Sequence, residues 1–565
     1  MINNAKSRNF IAQGSILAIT GIVCRIIGML YRIPLVDIIG TIGNGYYTSA
    51  YSIYNILLIL SSYSLPTAVS KVVSTRLAKE RYDDVRTTLR VAFVYATLMG
   101  AFACGLMYFG SDMIAGFLEK PFCRYAMRTL APTIWVMAYL GIMRGYFQGS
   151  GNMVPTAVSQ VIEQIINAAV SIIMAILLFN YGAKANLIYA ETDYSYAYGA
   201  AGATIGTGMG ALIALLFFIL LFLLYGRMPS GNGYVRARNA DGSVGRARSR
   251  RRESSGQLAK VLLVTLIPIL LSSTVYNIST VLDDFIFSRS MNALGVGASC
   301  VFLWGVFGEY RILFNIPVAI SNSLSSSVIP SLTNAVADRN KRLIVQKLKL
   351  SMQFVMLISI PAAMGLFALA EPICNLLFAS EDNTLLISVL RHGSITIILY
   401  ALSTITNGLL QGLGHLSEPL KNAVIALVIH VISLVVLVFV THSILAVIYA
   451  NSIFALVVCV LNITNLHSHV HFRINMRNTF IIPFISSAVM GAAVYGISRL
   501  LQMLLPAAFA SGRAELSVIV VICMCIALFV YAVLLAVLRA FTKEELLEMP
   551  MGLRLYRLLN AMRLM

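Results

Sequence analysis

The feature that most constrains this chain is a series of long stretches that contain no Asp, Glu, Lys or Arg. These stretches are 91–111, 194–226, 312–337, 350–370, 422–472 and 516–538. Of the 565 residues, 58% are apolar and 12% are charged, whereas soluble globular proteins are roughly 45–50% apolar and about 25% charged. The sequence therefore predicts an all-α polytopic membrane protein. It excludes a soluble enzyme, a secreted disulfide scaffold and a disordered chain.

Apolar length predicts fourteen membrane-spanning helices, because a helix needs about 20 apolar residues to cross a bilayer. Read from break to break, they are expected at 10–32, 44–70, 91–118, 129–148, 155–180, 198–226, 258–282, 296–330, 350–378, 388–412, 420–441, 443–466, 479–498 and 516–538. Only Thr441, His442 and Ser443 mark a turn inside the 422–472 run. Lys6 and Arg8 precede the first apolar run without a small-residue cleavage site, so the first helix is expected to be retained.

The distribution of basic residues predicts the orientation. With the N-terminus in the cytoplasm, 30 of the 42 Lys and Arg residues fall in cytoplasmic loops and 8 fall in the alternate loops. This asymmetry follows the positive-inside rule and predicts that both termini are cytoplasmic. The net charge of +19 is thereby explained without a nucleic-acid partner. The Arg-rich segment 227–252 is interpreted as an orienting cytoplasmic loop without fixed structure, or alternatively as a binding site for anionic headgroups.

Two motifs recur after six predicted helices. Gly145–Gly151 at the end of the fourth helix resembles Gly408–Gly414 at the end of the tenth, and Leu65–Ser70 resembles Ile316–Ser321. A shift by an even number of helices predicts two parallel six-helix lobes, a plan typical of transporters. The predicted domains are a first lobe at 1–226, a basic loop at 227–257, a second lobe at 258–466, two added helices within 467–538 and a tail at 539–565.

Four arginines fall inside predicted spans, where an ionised side chain normally faces a wet cavity or a partner. Arg25 and Arg32 are seven residues apart and therefore share one face of the first helix. Together with Arg311 they are predicted to form a cationic patch for a pyrophosphate or for carboxylates, and Glu309 is included among the predicted substrate-binding residues. Arg144 is interpreted as extending to the membrane interface. For Arg32 two interpretations stay open: its side chain faces a wet cavity, or it extends to the membrane interface.

Candidate residues for ion coupling are Asp283, Asp284 and Glu163, which could bind a cation or relay protons. The alternative for Asp283 and Asp284 is a position at a loop edge. His467, His469 and His471 alternate along the chain without a nearby carboxylate in sequence, so no metal site is predicted. No phosphate-binding loop, zinc-protease motif or nucleophile elbow is present. The predicted function is therefore not enzymatic, no cofactor is expected, and Na⁺ or H⁺ remain candidate coupling ions.

Several motifs resemble one known family. They are Gly14–Thr20, Cys24-Arg-Ile-Ile-Gly-Met-Leu-Tyr-Arg-Ile-Pro-Leu35, Gly43-Asn-Gly-Tyr-Tyr47, Ala50-Tyr-Ser-Ile-Tyr-Asn55, Leu65–Lys71 and Val328–Thr333. These residues resemble the polysaccharide-exporter branch of the MOP superfamily, in the subgroup of SpoVB sporulation proteins that is related to the MurJ lipid II flippases. The resemblance covers essentially the whole chain.

The resemblance implies an alternating-access flippase for a polyprenyl-diphosphate-linked saccharide, such as lipid II or a related cell-wall or polysaccharide precursor. It places the family's binding residues at Arg25, Arg32, Asn55 and Arg311, and a lipid-tail groove at helices 13 and 14. Where MurJ-like members carry a further Arg after the Asn, this chain has Leu58. The expected partners are the lipid-linked substrate and the bilayer, with the protein a monomer. The alternative function is a multidrug or cation antiporter of the same superfamily.

Overall fold

The computed structural model describes residues 16–225 except 18, 236–238, 244–246, 253–378, 382–504 except 473, and 513–540. The described helices are α1 Ile19–Leu30, α2 Arg32–Leu58, α3 Leu65–Leu77, α4 Tyr82–Phe109, α5 Ser111–Phe117, α6 Cys123–Gly149, α7 Val154–Tyr189, α8 Asp193–Tyr225, α9 Ser255–Ala293, α10 Cys300–Ala337, α11 Lys341–Ala368, α12 Ala370–Leu377, α13 Thr384–Gly412, α14 Ser417–Thr441, α15 Leu445–Val470, α16 Ile482–Leu504 and α17 Arg513–Val537. The predicted start of the first span and residues 541–565 of the predicted tail lie outside the described residues.

The all-α membrane class is confirmed. Twelve helices among the described residues are long and apolar enough to cross a membrane, and they correspond to twelve of the predicted spans. At the predicted first span, the described chain contains the shorter apolar helix Ile19–Leu30, and at the predicted seventh span it contains the shorter apolar segment Ser255–Ile267, which is the first part of α9. The count of fourteen therefore stays a prediction. The weakly marked turn at His442 is confirmed, because α14 ends at Thr441 and α15 begins at Leu445.

The gap predicted between the first and second spans is helical instead. The Tyr31 carbonyl accepts a hydrogen bond from the Leu35 amide, and α2 continues to Leu58 with a kink at Gly40. Pro34 is compatible with this helix because it lies in the first turn, where an amide hydrogen is not needed. Gly40 has φ of 68°, a conformation that costs glycine little because it has no Cβ. A π-helical turn, Ile59–Tyr63, then separates α2 from α3.

The chain forms two compact units, Met1–Val281 and Leu282–Met565. In the first unit, α6 packs against α2, α3, α4 and α8, and α7 packs along α8. In the second unit, α13 packs against α10, α11 and α15, while α16 contacts α11 and α17. A buried apolar cluster lies at the centre of each packing, built around Leu65, Val69 and Ile142 in one unit and around Met352, Ile405 and Leu409 in the other.

The two motifs of the internal repeat form the same local structure. The Gly151 amide donates to the Gln148 carbonyl and the Asn152 amide to the Phe147 carbonyl, and the same two bonds recur at Gly414 and His415. Gly151 and Gly414 both have positive φ, of 84° and 92°. The predicted equivalence of these turns is confirmed. The lobe boundaries stay predictions.

Glycines also determine how each repeat packs. A Cβ on Gly149 would lie 2.8 Å from the Ser70 carbonyl oxygen, so α6 and α3 touch backbone to backbone. A Cβ on Gly412 would lie 3.0 Å from Leu332 Cδ2, so α13 packs closely on a side chain of α10. The helix that carries the recurring Gly motif thus packs, in both units, on the helix that carries the recurring Pro motif.

Part of the basic segment is ordered. Arg236–Arg238 and Val244–Arg246 form a pair of antiparallel strands, so the expectation of no fixed structure is wrong for these six residues. Beyond the segment, Glu253 forms ion pairs with Arg76 at 2.9 Å and with Arg81 at 2.8 Å. The hydrogen bond from Arg76, followed by the charges of both arginines, holds the pKa of Glu253 below its usual value.

Ion pairs near the helix ends agree with the predicted grouping of loops by side. Glu253 and Arg76 belong to two loops predicted to be cytoplasmic, and so do His469 and Glu418. Arg499, in a loop of the opposite group, pairs with Glu371, which lies near the end of the predicted span 350–378 on that same side. Which group faces the cytoplasm stays a prediction.

Candidate functional site

Arg32 lies against two aromatic rings of its own helix. Its guanidinium carbon is 4.4 Å from the centre of the Tyr47 ring and 5.8 Å from that of Tyr51. In a straight helix, residues fifteen positions apart would be separated by about 22 Å. The contact therefore depends on the kink at Gly40, which turns the two halves of α2 towards each other. A cation over an aromatic face is stabilised by about 0.5–2 kcal/mol, depending on solvation.

A polar network holds the tyrosines in place. The Tyr51 hydroxyl lies 3.1 Å from Thr207 Oγ1, which donates to Asn167 Oδ1 at 3.4 Å. Asn167 Nδ2 in turn donates to the Tyr31 hydroxyl at 3.3 Å. The network joins α2, α7 and α8, so three helices fix Tyr51, one of the two rings that contact Arg32.

We define the tyrosine cage as Arg32, Tyr31, Tyr47 and Tyr51. Arg32 is half-buried, and among the described residues no carboxylate forms an ion pair with it. A half-buried guanidinium held by aromatic rings keeps donors available for an anion, and it matches the two oxygens of a phosphate or carboxylate. Chemically, the cage is suited to an anionic ligand.

The other predicted residues of the first unit have different environments. Arg25 is exposed on α1. Asn55 is also exposed, and it follows Tyr47 and Tyr51 at four-residue steps, which places it on the same stripe of α2. Neither is in the tyrosine cage, and their roles in substrate binding stay predictions.

Arg144 does not extend to the membrane interface, so that interpretation is wrong. Its side chain is buried, with Nη2 2.6 Å from Glu163 Oε2 and Nε donating to Ser159 Oγ at 3.1 Å. The pair joins α6 to α7 and neutralises both charges. Glu163 was a candidate for ion coupling, and in this structure its carboxylate is engaged by Arg144. Its coupling role stays a prediction.

In the second unit, Arg311 and Glu309 both lie on α10. Arg311 is half-buried, with its guanidinium carbon 5.9 Å from the centre of the Phe307 ring, and Glu309 is buried. Arg311 thus also contacts an aromatic face. The predicted patch shared with Arg25 and Arg32 combines residues of two units and stays a prediction.

Asp283 lies at the centre of a buried polar network in the second unit. Its Oδ1 is 2.5 Å from His430 Nε2, and its Oδ2 accepts a hydrogen bond from Asn451 at 3.0 Å. The Tyr400 hydroxyl donates to Asn451 Oδ1 at 2.9 Å. Asp283 and Asp284 are both buried, about ten residues before α9 ends at Ala293. The alternative of a loop-edge position is therefore wrong, and Ser288 donates to Asp284 within the same helix.

The hydrogen bonds of His430 determine how many protons the pair holds. His430 Nδ1 is 3.0 Å from the Ala450 carbonyl oxygen, which can only accept, so Nδ1 carries a hydrogen. The short contact between Nε2 and Asp283 Oδ1 then requires one further proton shared by the two atoms. A second added proton would have to sit on Oδ2, which already accepts from Asn451. The Asp283–His430 pair is therefore built for one proton in this arrangement.

Comparison with known proteins identifies the family. A family model described as "Lipid II flippase MurJ" matches residues 78–512. The chain belongs to the MurJ family. It is similar to the lipid II flippase MurJ of Bacillus subtilis (strain 168), with 24% identity over 90% of this chain and 91% of the relative. It is also similar to stage V sporulation protein B of the same organism, with 22% identity over 96% of this chain and 98% of the relative.

A solved structure supports the fold. The lipid II flippase MurJ in an inward closed conformation matches with a TM-score of 0.62 and 14% identity, over 92% of this chain and 97% of that one. The resemblance to the MurJ and SpoVB group is thus confirmed. As a MurJ family member, this chain is a multi-pass membrane transporter rather than an enzyme.

The partners of the predicted site residues do not follow from the sequence. Of the five histidines in the charge-free 422–472 run, His430 is the one that falls inside a predicted span, and that position was the available signal. Tyr47 and Tyr51 were part of the family motifs, but only the kink at Gly40 brings them to Arg32. Asn451 gave no signal, because an amide in an apolar helix is most simply explained by helix packing.

Proposed function

We propose that this chain is a flippase that moves a polyprenyl-diphosphate-linked saccharide from the inner to the outer leaflet of a bacterial cytoplasmic membrane. Lipid II or a related cell-wall or polysaccharide precursor is the substrate class, the protein acts as a monomer, and both termini are cytoplasmic. The tyrosine cage is the observation that carries the proposal. MurJ family membership supports it.

The cage fits the head of such a substrate. A diphosphate offers pairs of oxygens that match the two parallel donors of a guanidinium. The tyrosine faces that contact Arg32 restrict its rotamers, so less side-chain entropy is lost when the anion binds. A cationic drug would be repelled by the same guanidinium, which disfavours the antiporter alternative.

Complementation of a flippase-deficient strain tests this proposal. We expect Arg32→Ala to abolish growth at normal membrane abundance, and Arg32→Lys to restore it only in part, because an ammonium lacks the bidentate fork. Arg25→Ala and Arg311→Ala are expected to fail as well. Arg128→Ala, an exposed arginine of the same unit, is the control and should complement fully. Full complementation by Arg32→Ala, Arg25→Ala and Arg311→Ala at normal abundance would refute the anionic-substrate proposal.

We further propose that the Asp283–His430 pair couples transport to protons. The pair is buried in the helices of the second unit, where an ionisable group is costly and normally has a functional partner. A proton gained at Asp283 Oδ2 would repel the Asn451 amide hydrogen that this oxygen accepts. Loss of the shared proton would leave the lone pair of His430 Nε2 facing the negatively charged Asp283 carboxylate, which is also repulsive. Either change favours a different packing of α9, α14 and α15. Proton binding is thereby linked to a change in conformation.

Proteoliposomes containing a fluorescent lipid-linked substrate test the coupling. An imposed pH gradient should accelerate flipping by the wild type, whereas Asp283→Asn and His430→Gln should flip at one rate with or without the gradient. His442→Gln is a matched control, because His442 lies in the turn after the same helix that carries His430. If the two variants still respond to the pH gradient, the pair does not couple transport. A Na⁺ gradient that alone accelerates the wild type would assign the coupling to sodium.

A further inference from the structure

Three side chains with metal-ligating atoms meet on the second unit, away from the Asp283–His430 pair. They are His415, in the turn between α13 and α14, Glu418, in the first turn of α14, and His469, in the last turn of α15. One ligand atom of each lies within 4.8 Å of the other two. None of them has a role in the proposed transport cycle.

The contacts within this group are close. His469 Nε2 is 2.7 Å from Glu418 Oε1, and His415 Nδ1 is 3.6 Å from the same oxygen. The two imidazole rings stack, with centres 3.7 Å apart. The second carboxylate oxygen, Glu418 Oε2, is buried and has no hydrogen-bond partner among the described residues. An orphaned buried carboxylate oxygen beside two imidazoles is unfavourable unless a cation occupies the group.

We propose that His415, Glu418 and His469 form a binding site for a divalent transition metal of the zinc type. Two imidazoles and one carboxylate are a ligand set that Zn²⁺ accepts, with a water in the fourth position. Bonds of about 2.0–2.1 Å at a tetrahedral centre place ligand atoms about 3.4 Å apart. The present separations of 2.7 and 3.6 Å from the carboxylate oxygen bracket that value. Both histidines are partly exposed, so small rotations of their side chains suffice to reach it.

The site would connect two segments that are distant in sequence. His469 is the last-turn residue of α15, and His415 and Glu418 belong to the connection between α13 and α14. A metal bound to all three would fix these helix ends to one another, within the group of loops predicted to be cytoplasmic. It would thus make the packing of α13, α14 and α15 depend on metal concentration, and this inference does not rest on the proposed substrate.

Metal binding to the purified full-length protein in detergent tests the site, with an affinity tag that contains no histidine. Co²⁺ serves as the probe, because its visible absorption reports coordination number. We expect one Co²⁺ per chain with the spectrum of four- or five-coordinate cobalt, displaced by Zn²⁺.

The variants make the assignment specific. His469→Ala and Glu418→Gln should weaken binding at least about tenfold. His467→Ala and His471→Ala, histidines of the same chain segment outside the group, should bind within twofold of the wild type. Saturating Zn²⁺ should raise the melting temperature of the wild type but not of His469→Ala. Absence of stoichiometric binding refutes the site, and so does equal weakening by the His467→Ala and His469→Ala variants. Glu418→Gln is nearly isosteric, and size-exclusion chromatography verifies that each variant is folded.

Discussion

Two arginine–carboxylate pairs of the first unit have the same length and different burial, which makes their energies a direct test of the structure. Arg144 Nη2 is 2.6 Å from Glu163, with side-chain exposures of 11% and 13%. Arg128 Nη2 is 2.6 Å from Asp112, with exposures of 39% and 54%. Removal of one partner of a fully buried pair costs about 3–5 kcal/mol, because a buried charge is left uncompensated.

The small remaining exposure of Glu163 reduces this cost. We expect Arg144→Ala to lower the free energy of unfolding by about 2–3 kcal/mol, and Arg128→Ala to lower it by less than about 1 kcal/mol. The double variant Arg144→Ala/Glu163→Ala should be more stable than Arg144→Ala alone, because no carboxylate is left unpaired.

Unfolding by SDS in mixed micelles, followed by tryptophan fluorescence, measures these differences. Trp135 is nine residues before Arg144 on α6 and reports on that helix directly. Equal stability of Arg144→Ala and Arg128→Ala would refute the buried pair. A double variant that is less stable than Arg144→Ala would show that the loss comes from packing and not from an unpaired charge.

Three further predictions follow from the fold. Thiols in 227–252 should not react with impermeant reagents in intact cells, whereas thiols introduced at four other positions should react, namely Glu119, Asp193, Asp382 and Arg513. The reverse result would invert the predicted orientation. Gly149→Ala should destabilise the protein by about 1–3 kcal/mol, because its Cβ would meet the backbone of α3, whereas Gly116→Ala, with open space around it, should be neutral. The pKa of Glu253 is lowered by Arg76 and Arg81, so its stabilising effect is present above about pH 4.3 and is lost as the pH falls through the lowered value. The stability difference between wild type and Glu253→Gln should therefore shrink as the pH falls through the lowered pKa of Glu253, and a difference that is independent of pH would contradict the ion pairs.

The sequence predicted the features that depend on composition along one helix. The membrane class and the turn at His442 follow from apolar length and from single turn residues. The equivalence of Gly151 and Gly414 follows from the need for positive φ at both helix ends. These properties are local, so a linear pattern contains them.

Features that depend on two helices were not predictable in the same way. Arg144 was placed at the interface because its own helix ends there, and only the packing of α6 on α7 reveals Glu163. The partner of Asp283 is His430, 147 residues further along the chain. Arg32 meets Tyr47 only because a helix predicted to end before Pro34 continues to the kink at Gly40. In each case the deciding contact is separated from the residue by at least one change of chain direction.

The one-proton arrangement of Asp283 and His430 has a consequence for transport energetics. A proton-motive force of 100 mV supplies about 2.3 kcal/mol for each proton, and about 1.4 kcal/mol corresponds to a tenfold concentration ratio. Under the proposed coupling, a cycle that moves one proton and no other net charge therefore sustains at most about a 40-fold excess of substrate in the outer leaflet for each 100 mV. Above that ratio the cycle would run backwards. Under such a limit, net export depends on reactions that consume the carried lipid on the outer face and so keep its concentration there low. The rate of net export falls when those reactions stop.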